Sequence, residues 1–188
     1  MTPRELIEFS KIIGKLKTTY RHCYTEDGRR ESVADHSWRI ALMAMLCEKQ
    51  FGDIDINKVI KMCLIHDFGE AVTGDIPAFD KTEEHEDIEE KAITKLLKHL
   101  PAYLEAELNS LFDEMEALQT KEAKLWKSLD NMEAVLAHNE SDISTWLPLE
   151  YSLNLTYGEQ NVAWSEWTKE LKTELNKDTA KKIESSNQ

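Results

Sequence analysis

Val59-Ile60-Lys61-Met62-Cys63-Leu64-Ile65-His66-Asp67-Phe68 is the most apolar stretch of the chain, and it ends on a histidine and an aspartate. Val59, Ile60, Cys63 and Leu64 recur at helical spacing, so the segment predicts a buried helix behind an Asp55 cap. Gly69 to Asp80 holds two of the six glycines and one of the four prolines, which predicts a loop or broken helix. Upstream, Ser32 caps a second helix with Asp35 at its third position, and His36, Ile40, Met43, Ala44 and Cys47 form its inner face. Phe51-Gly52 closes that helix.

Working outward, Pro3 to Lys15 reads as a first helix, and Thr18 to Arg30 as a loop with Asp27-Gly28 as its turn. Glu83 to Leu100 is helical and charged, Pro101 starts a helix ending near Leu118, and Thr120 caps one that carries Leu125, Leu129, Met132, Val135 and Leu136. Trp146, Trp164 and Trp167 belong to one or two more helices. No strand-like alternation of useful length, repeat or low-complexity linker interrupts the pattern. The expectation is an all-α, single-domain bundle of about six or seven helices over residues 1–176, with a polar, frayed tail from 177 to 188.

The 188 residues suffice for one core, and 36 acidic against 23 basic side chains give a net charge of -13. Such a surface repels phosphate backbones, which excludes a nucleic-acid polymer as partner while leaving room for a small phosphorylated ligand beside a local cation. Met1 to Ser10 has no apolar signal core, and the longest uncharged apolar run, Ile40 to Cys47, is too short for a membrane span. Cys23, Cys47 and Cys63 form no CxxC pair and fit a reducing compartment, so a cytoplasmic protein without membrane contact is expected.

Polar groups sit where the helical pattern predicts burial: His36, the His66-Asp67 doublet, and Asp130 after Leu129. A lone buried carboxylate costs several kcal/mol, and a divalent cation shared by two imidazoles and two carboxylates satisfies all four. Singly, His36 reads as an ordinary core histidine, and Asp130 as a partner for Lys127. Glu70 lies four residues after His66, on the ligand face if the helix continues, and Gly74 lets the chain turn so that Asp75 points back.

The ordered set resembles the HD-domain superfamily of metal-dependent phosphohydrolases. The match extends to Glu-Ser-Val-Ala-Asp-His-Ser (31–37), His-Asp-Phe-Gly-Glu-Ala-Val-Thr-Gly-Asp-Ile-Pro (66–77) and Lys-Ser-Leu-Asp-Asn-Met-Glu (127–133), which are similar to its 5'-deoxynucleotidase branch. The resemblance covers residues 5–175. It implies an all-helical homodimer that removes phosphate from (deoxy)ribonucleoside 5'-monophosphates, with His36, His66, Asp67 and Asp130 as metal ligands. Glu70 then matches the catalytic carboxylate, Asp75 an acid that sets water and sugar, and Arg21 a phosphate-holding arginine. The family often carries a tryptophan close after this arginine, where this chain has His22, Cys23 and Tyr24, so base and sugar preference stay open. Lys81 sits where a second phosphate-side cation fits. Two nitrogen and two oxygen ligands leave two positions of an octahedral ion for water and substrate, which suits one Mn²⁺, Co²⁺, Fe²⁺ or Mg²⁺. His85, His99 and His138 read as too solvated for a second metal. The alternatives are an HD phosphohydrolase of triphosphates, cyclic nucleotides or (p)ppGpp, and a non-catalytic metal-binding helical protein. For Arg21 the alternative is an ion pair with Glu26 or Asp27.

Overall fold

The computed structural model describes residues 1–186. Its helices are α1 (Pro3–Ile13), α2 (Val33–Leu46), α3 (Ile56–Ile65), α4 (Glu70–Thr73), α5 (Glu83–Leu97), α6 (Ala102–Ala117), α7 (Lys121–Glu140), α8 (Glu150–Thr156), α9 (Glu159–Val162) and α10 (Glu166–Ser186). The fold is all-α, as expected. The described residues carry more helical segments than the six or seven predicted, because α4, α8 and α9 are short pieces of 4, 7 and 4 residues set off by breaks in the chain.

Caps explain where the long helices start. The Ser32 side chain accepts from the Asp35 N–H while Asp35 accepts from the Ser32 N–H, and the side chain of Asp55 accepts from the Lys58 N–H. The apolar faces of α2, α3 and α7 meet as a three-helix centre in which Ile40, Ala44, Val59, Met62, Cys63, Leu125 and Leu129 are fully buried. Phe51, Trp164 and Trp167 close one side of this core by ring contacts. No described helix is long and apolar enough to cross a membrane.

One expectation needs correction. Residues 18–30 are not a plain loop: β1 (Tyr20–Tyr24) and β2 (Arg30–Ser32) form an antiparallel hairpin. Its turn uses Gly28 at φ 82°, a conformation that glycine adopts at no steric cost. The described part of the tail from 177 is helical, since α10 continues to Ser186. Polar contacts dock it: Asn139 donates to the Leu175 carbonyl at 3.1 Å, the Thr179 hydroxyl donates to Asn139 Oδ1 at 2.9 Å, and Leu175 and Thr179 are buried. Residues 187 and 188 of the predicted tail lie outside the described residues.

Candidate active site

The helical centre presents its polar exceptions at one point. The capping box starts α2 so that His36 faces inward from its first turn, 1% exposed. The α3 helix stops at Ile65, and i→i+3 hydrogen bonds from Phe68 to Ile65 and from Glu70 to Asp67 turn the chain before α4 begins. The helix therefore does not continue through to Glu70. This break swings Asp67 and Glu70 toward the same space as His66, and α7 brings Asp130 from the opposite wall.

His36 Nε2 lies 3.2 Å from His66 Nε2 and 3.1 Å from Asp130 Oδ1. Asp67 Oδ2 is 3.0 Å from His66 Nε2 and 4.0 Å from His36 Nε2. Each imidazole is oriented through its other nitrogen: His66 Nδ1 donates to the Cys63 carbonyl at 2.9 Å, and His36 Nδ1 is bound to Glu133 Oε2. With the Nδ1 hydrogens so engaged, the two Nε2 atoms meet between two carboxylates, and both offer lone pairs once His36 has given up its second proton. That is the donor set of a divalent metal site, and the orienting carboxylate and carbonyl are its usual outer support. Among the described residues, His36, His66 and Asp67 form the one group of three that meets metal-ligand spacing, and Asp130 adjoins it.

Without a cation, charges determine protonation here. Burial and the Arg21 charge push His36 down, but the Glu133 and Asp130 carboxylates outweigh them and raise it to about 9. Burial would raise Asp130, yet Lys127 at 2.8 Å and the two histidines hold it well below the usual carboxylate range. Glu70 is pushed up to about 10 by burial and by the negative charges of Asp67, Asp75 and Glu89. Its Oε2 is buried with no hydrogen-bond partner. Asp75 follows Gly74, whose φ of 81° makes the predicted turn, and burial raises its carboxyl.

Arg21 pairs with neither Glu26 nor Asp27. Its Nη1 donates to Glu31 Oε2 at 2.7 Å and to Glu133 Oε2 at 3.0 Å, and no other guanidinium nitrogen makes a side-chain hydrogen bond among the described residues. Arg39 braces the same carboxylates, with Glu133 Oε1 at 2.6 Å and Glu31 Oε1 at 3.3 Å. Lys81 forms an ion pair with Glu89 of α5. Arg21, His36, His66, Asp67, Glu70, Asp75, Lys81 and Asp130 thus all line one cavity of about 910 Å³. The volume is that of a small-molecule site.

Glu133, to which the sequence pattern assigns no role, is fully buried and joins His36, Arg21 and Arg39. Its only signal is the three-residue spacing from Asp130, which puts both acids on one helix face. His138 also differs from expectation: it is four-fifths or more buried, lines the cavity, and is held down to about 4 by burial and the charges of Arg21 and His22.

Residues 13–172 match the HD domain family. The chain is 39% identical over 140 residues to the 5'-deoxynucleotidase HDDC2 of Dictyostelium discoideum, covering 69% of this chain and 74% of that protein. It is 35% identical to the human 5'-deoxynucleotidase HDDC2, covering 73% and 68%. A solved structure described as a "Predicted metal-dependent phosphohydrolase" from Magnetospirillum magnetotacticum MS-1 superposes with a TM-score of 0.81 at 30% identity, over 95% of this chain and 93% of that one. With sequence, fold and donor set in agreement, the chain belongs to the HD domain family.

Proposed function

We propose that the chain is a metal-dependent 5'-deoxynucleotidase that hydrolyses (deoxy)ribonucleoside 5'-monophosphates with one divalent cation, Mn²⁺, Co²⁺, Fe²⁺ or Mg²⁺, held by His36, His66, Asp67 and Asp130. The observation that carries this reading is a single cavity lined by that donor set, by Glu70 with its unpartnered oxygen, and by Arg21. The curated relatives named 5'-deoxynucleotidase support the substrate class.

When bound, the cation supplies activation of water and neutralisation of the charge that develops on the phosphoryl oxygens. Arg21 holds the substrate phosphate through its unengaged nitrogens, while Glu31 and Glu133 fix the other edge of the guanidinium. With the cation's charge offsetting burial and the charges of Asp67, Asp75 and Glu89, Glu70 would act as the carboxylate that accepts a proton from the attacking water. Asp75 orients water and sugar, and Lys81 lends a second positive charge at the phosphate end. One guanidinium and one ammonium fit a monophosphate better than a triphosphate.

The free, buried cysteines fit a cytoplasmic protein. We also place it as a homodimer, for which exposed Trp38, Met45 and Leu46 on the outer side of α2 offer apolar surface. The tail tryptophans do not, since they pack inward. Sedimentation analysis tests this: a monomer at micromolar concentration refutes the dimer.

The activity is tested by phosphate release from dAMP and dATP after chelator treatment and re-addition of each metal. Stripped protein should be inactive, Mn²⁺ or Co²⁺ should restore hydrolysis of dAMP, and dATP should be the poorer substrate. Full activity without metal, or preference for dATP, overturns the reading.

A further inference from the structure

The cavity does not end at the phosphate chemistry. Beyond Arg21 it is lined by His22, His138, Glu150, Asn154 and Tyr157. His138 lies eight residues after Asp130 on α7, which at 1.5 Å of rise per residue is about 12 Å along the helix axis. That separation is comparable with the reach of a nucleoside beyond its 5'-phosphate.

Glu150 organises this end. It is 1% exposed, its Oε2 accepts from the Leu147 N–H at 2.6 Å, and its Oε1 faces His22 Nε2 and His138 Nε2, each at 3.5 Å. A carboxylate oxygen facing Nε2 favours the proton there, so His138 keeps a lone pair on Nδ1. That Nδ1 is buried and has no hydrogen-bond partner, and the same holds for Nδ2 of Asn154, a residue only 4% exposed. One unmet acceptor and one unmet donor therefore belong to two residues that line the same cavity, a costly arrangement in a protein interior unless a ligand meets them. The cluster does not have metal spacing: among the described residues, only His36, His66 and Asp67 meet it as a group of three. The His22 ring stands edge-on to Phe79, 5.9 Å between centroids, and gives this end flat walls. A flat ligand edge that carries a donor beside an acceptor is the chemistry of a nucleobase.

We propose that His138 and Asn154, with Glu150 as the positioning residue that fixes the imidazole, form the subsite that hydrogen-bonds the nucleobase edge. The proposal rests on the nucleotidase reading for the phosphate end, and a base-free substrate separates the two. Phosphate release is measured from deoxynucleoside monophosphates and from deoxyribose 5-phosphate, for the metal-loaded wild type and for Asn154→Leu and His138→Phe. Binding of phosphate-free deoxynucleosides is measured by calorimetry on the same proteins. The expected result is a loss of tenfold or more in kcat/KM on the preferred nucleotide, carried mainly by KM, with deoxyribose 5-phosphate turned over as before and nucleoside binding lost. If either variant melts early, Glu150→Gln replaces it, because it keeps the shape and weakens only the hold on the Nε2 proton. Equal losses on both substrates, no loss on either, or nucleoside binding that is absent in the wild type or unchanged in the variants overturns the subsite. Failure of the nucleotidase reading looks different: the wild type then releases no phosphate from any nucleotide, while nucleoside binding still reports on His138 and Asn154.

Discussion

Glu133 holds His36 by Nδ1 and Arg21 by Nη1 through one oxygen, and Arg39 through the other. Removing its charge should loosen the imidazole without touching a ligand atom, so Glu133→Gln is expected to weaken metal binding by about 10–100-fold. Titration calorimetry measures this, and unchanged affinity would return Glu133 to a purely structural role. Glu70→Ala should leave metal content as it is and lower kcat by about 10²–10⁴-fold. Arg21→Ala should instead raise KM, with some loss of kcat as the phosphate is mispositioned. Steady-state kinetics on dAMP separate the two, and an Arg21→Ala enzyme with unchanged KM and kcat would leave the clamp to Lys81. His66, Asp67 and Asp130 were legible because a polar group on an apolar stripe is anomalous before any partner is known. Glu133 was not: in a helix rich in charge an acid reads as solvated, and only the guanidinium from a distant hairpin reveals that it is buried.

Helix starts were legible because caps are local: Ser32 with Asp35, Asp55 and Thr120 each bond within three residues. The hairpin is not legible from its Asp27-Gly28 turn alone, because five strand residues alternate too briefly for periodicity to declare them. The helical course of α10 beyond residue 177 was not legible, because polar residues read as solvated, whereas Thr179 donates its hydroxyl to Asn139 of α7 between helices. Leu175, 6% exposed against Met132 and Val135, gives that docking an apolar anchor. Leu175→Ala should therefore destabilise the protein by about 2–5 kcal/mol. Denaturant unfolding measures the loss, and a change within about 0.5 kcal/mol, typical of exposed positions, would mean that α10 is not docked as described.

At the scale of the molecule, a surface of net charge -13 encloses a centre where two imidazoles and two carboxylates, the proposed metal ligands, come together. In chelator-stripped protein His36, raised to about 9, and Glu70, raised to about 10, keep protons that the unfolded chain has released. The contribution of His36 is complete below the unfolded histidine value of about 6.5 and is lost as pH rises through about 9, and Glu70 adds to the loss from lower pH onward. The Tm of stripped protein should fall between pH 7 and 10, while metal affinity should rise over the same range as His36 gives up its proton. Thermal melts with and without chelator check both, and a stripped protein that gains Tm over this range contradicts the assignment. The partners of Glu133, His36, Arg39 and Arg21, lie 97, 94 and 112 residues before it along the chain. During synthesis, then, a ribosome-bound chain carries His36, His66 and Asp67 long before α7 emerges to supply Asp130 and Glu133. If Asp130 and Glu133 complete the proposed site, the cation meets its full donor set only once that late helix has docked, and metal uptake then reports on the last step of assembly.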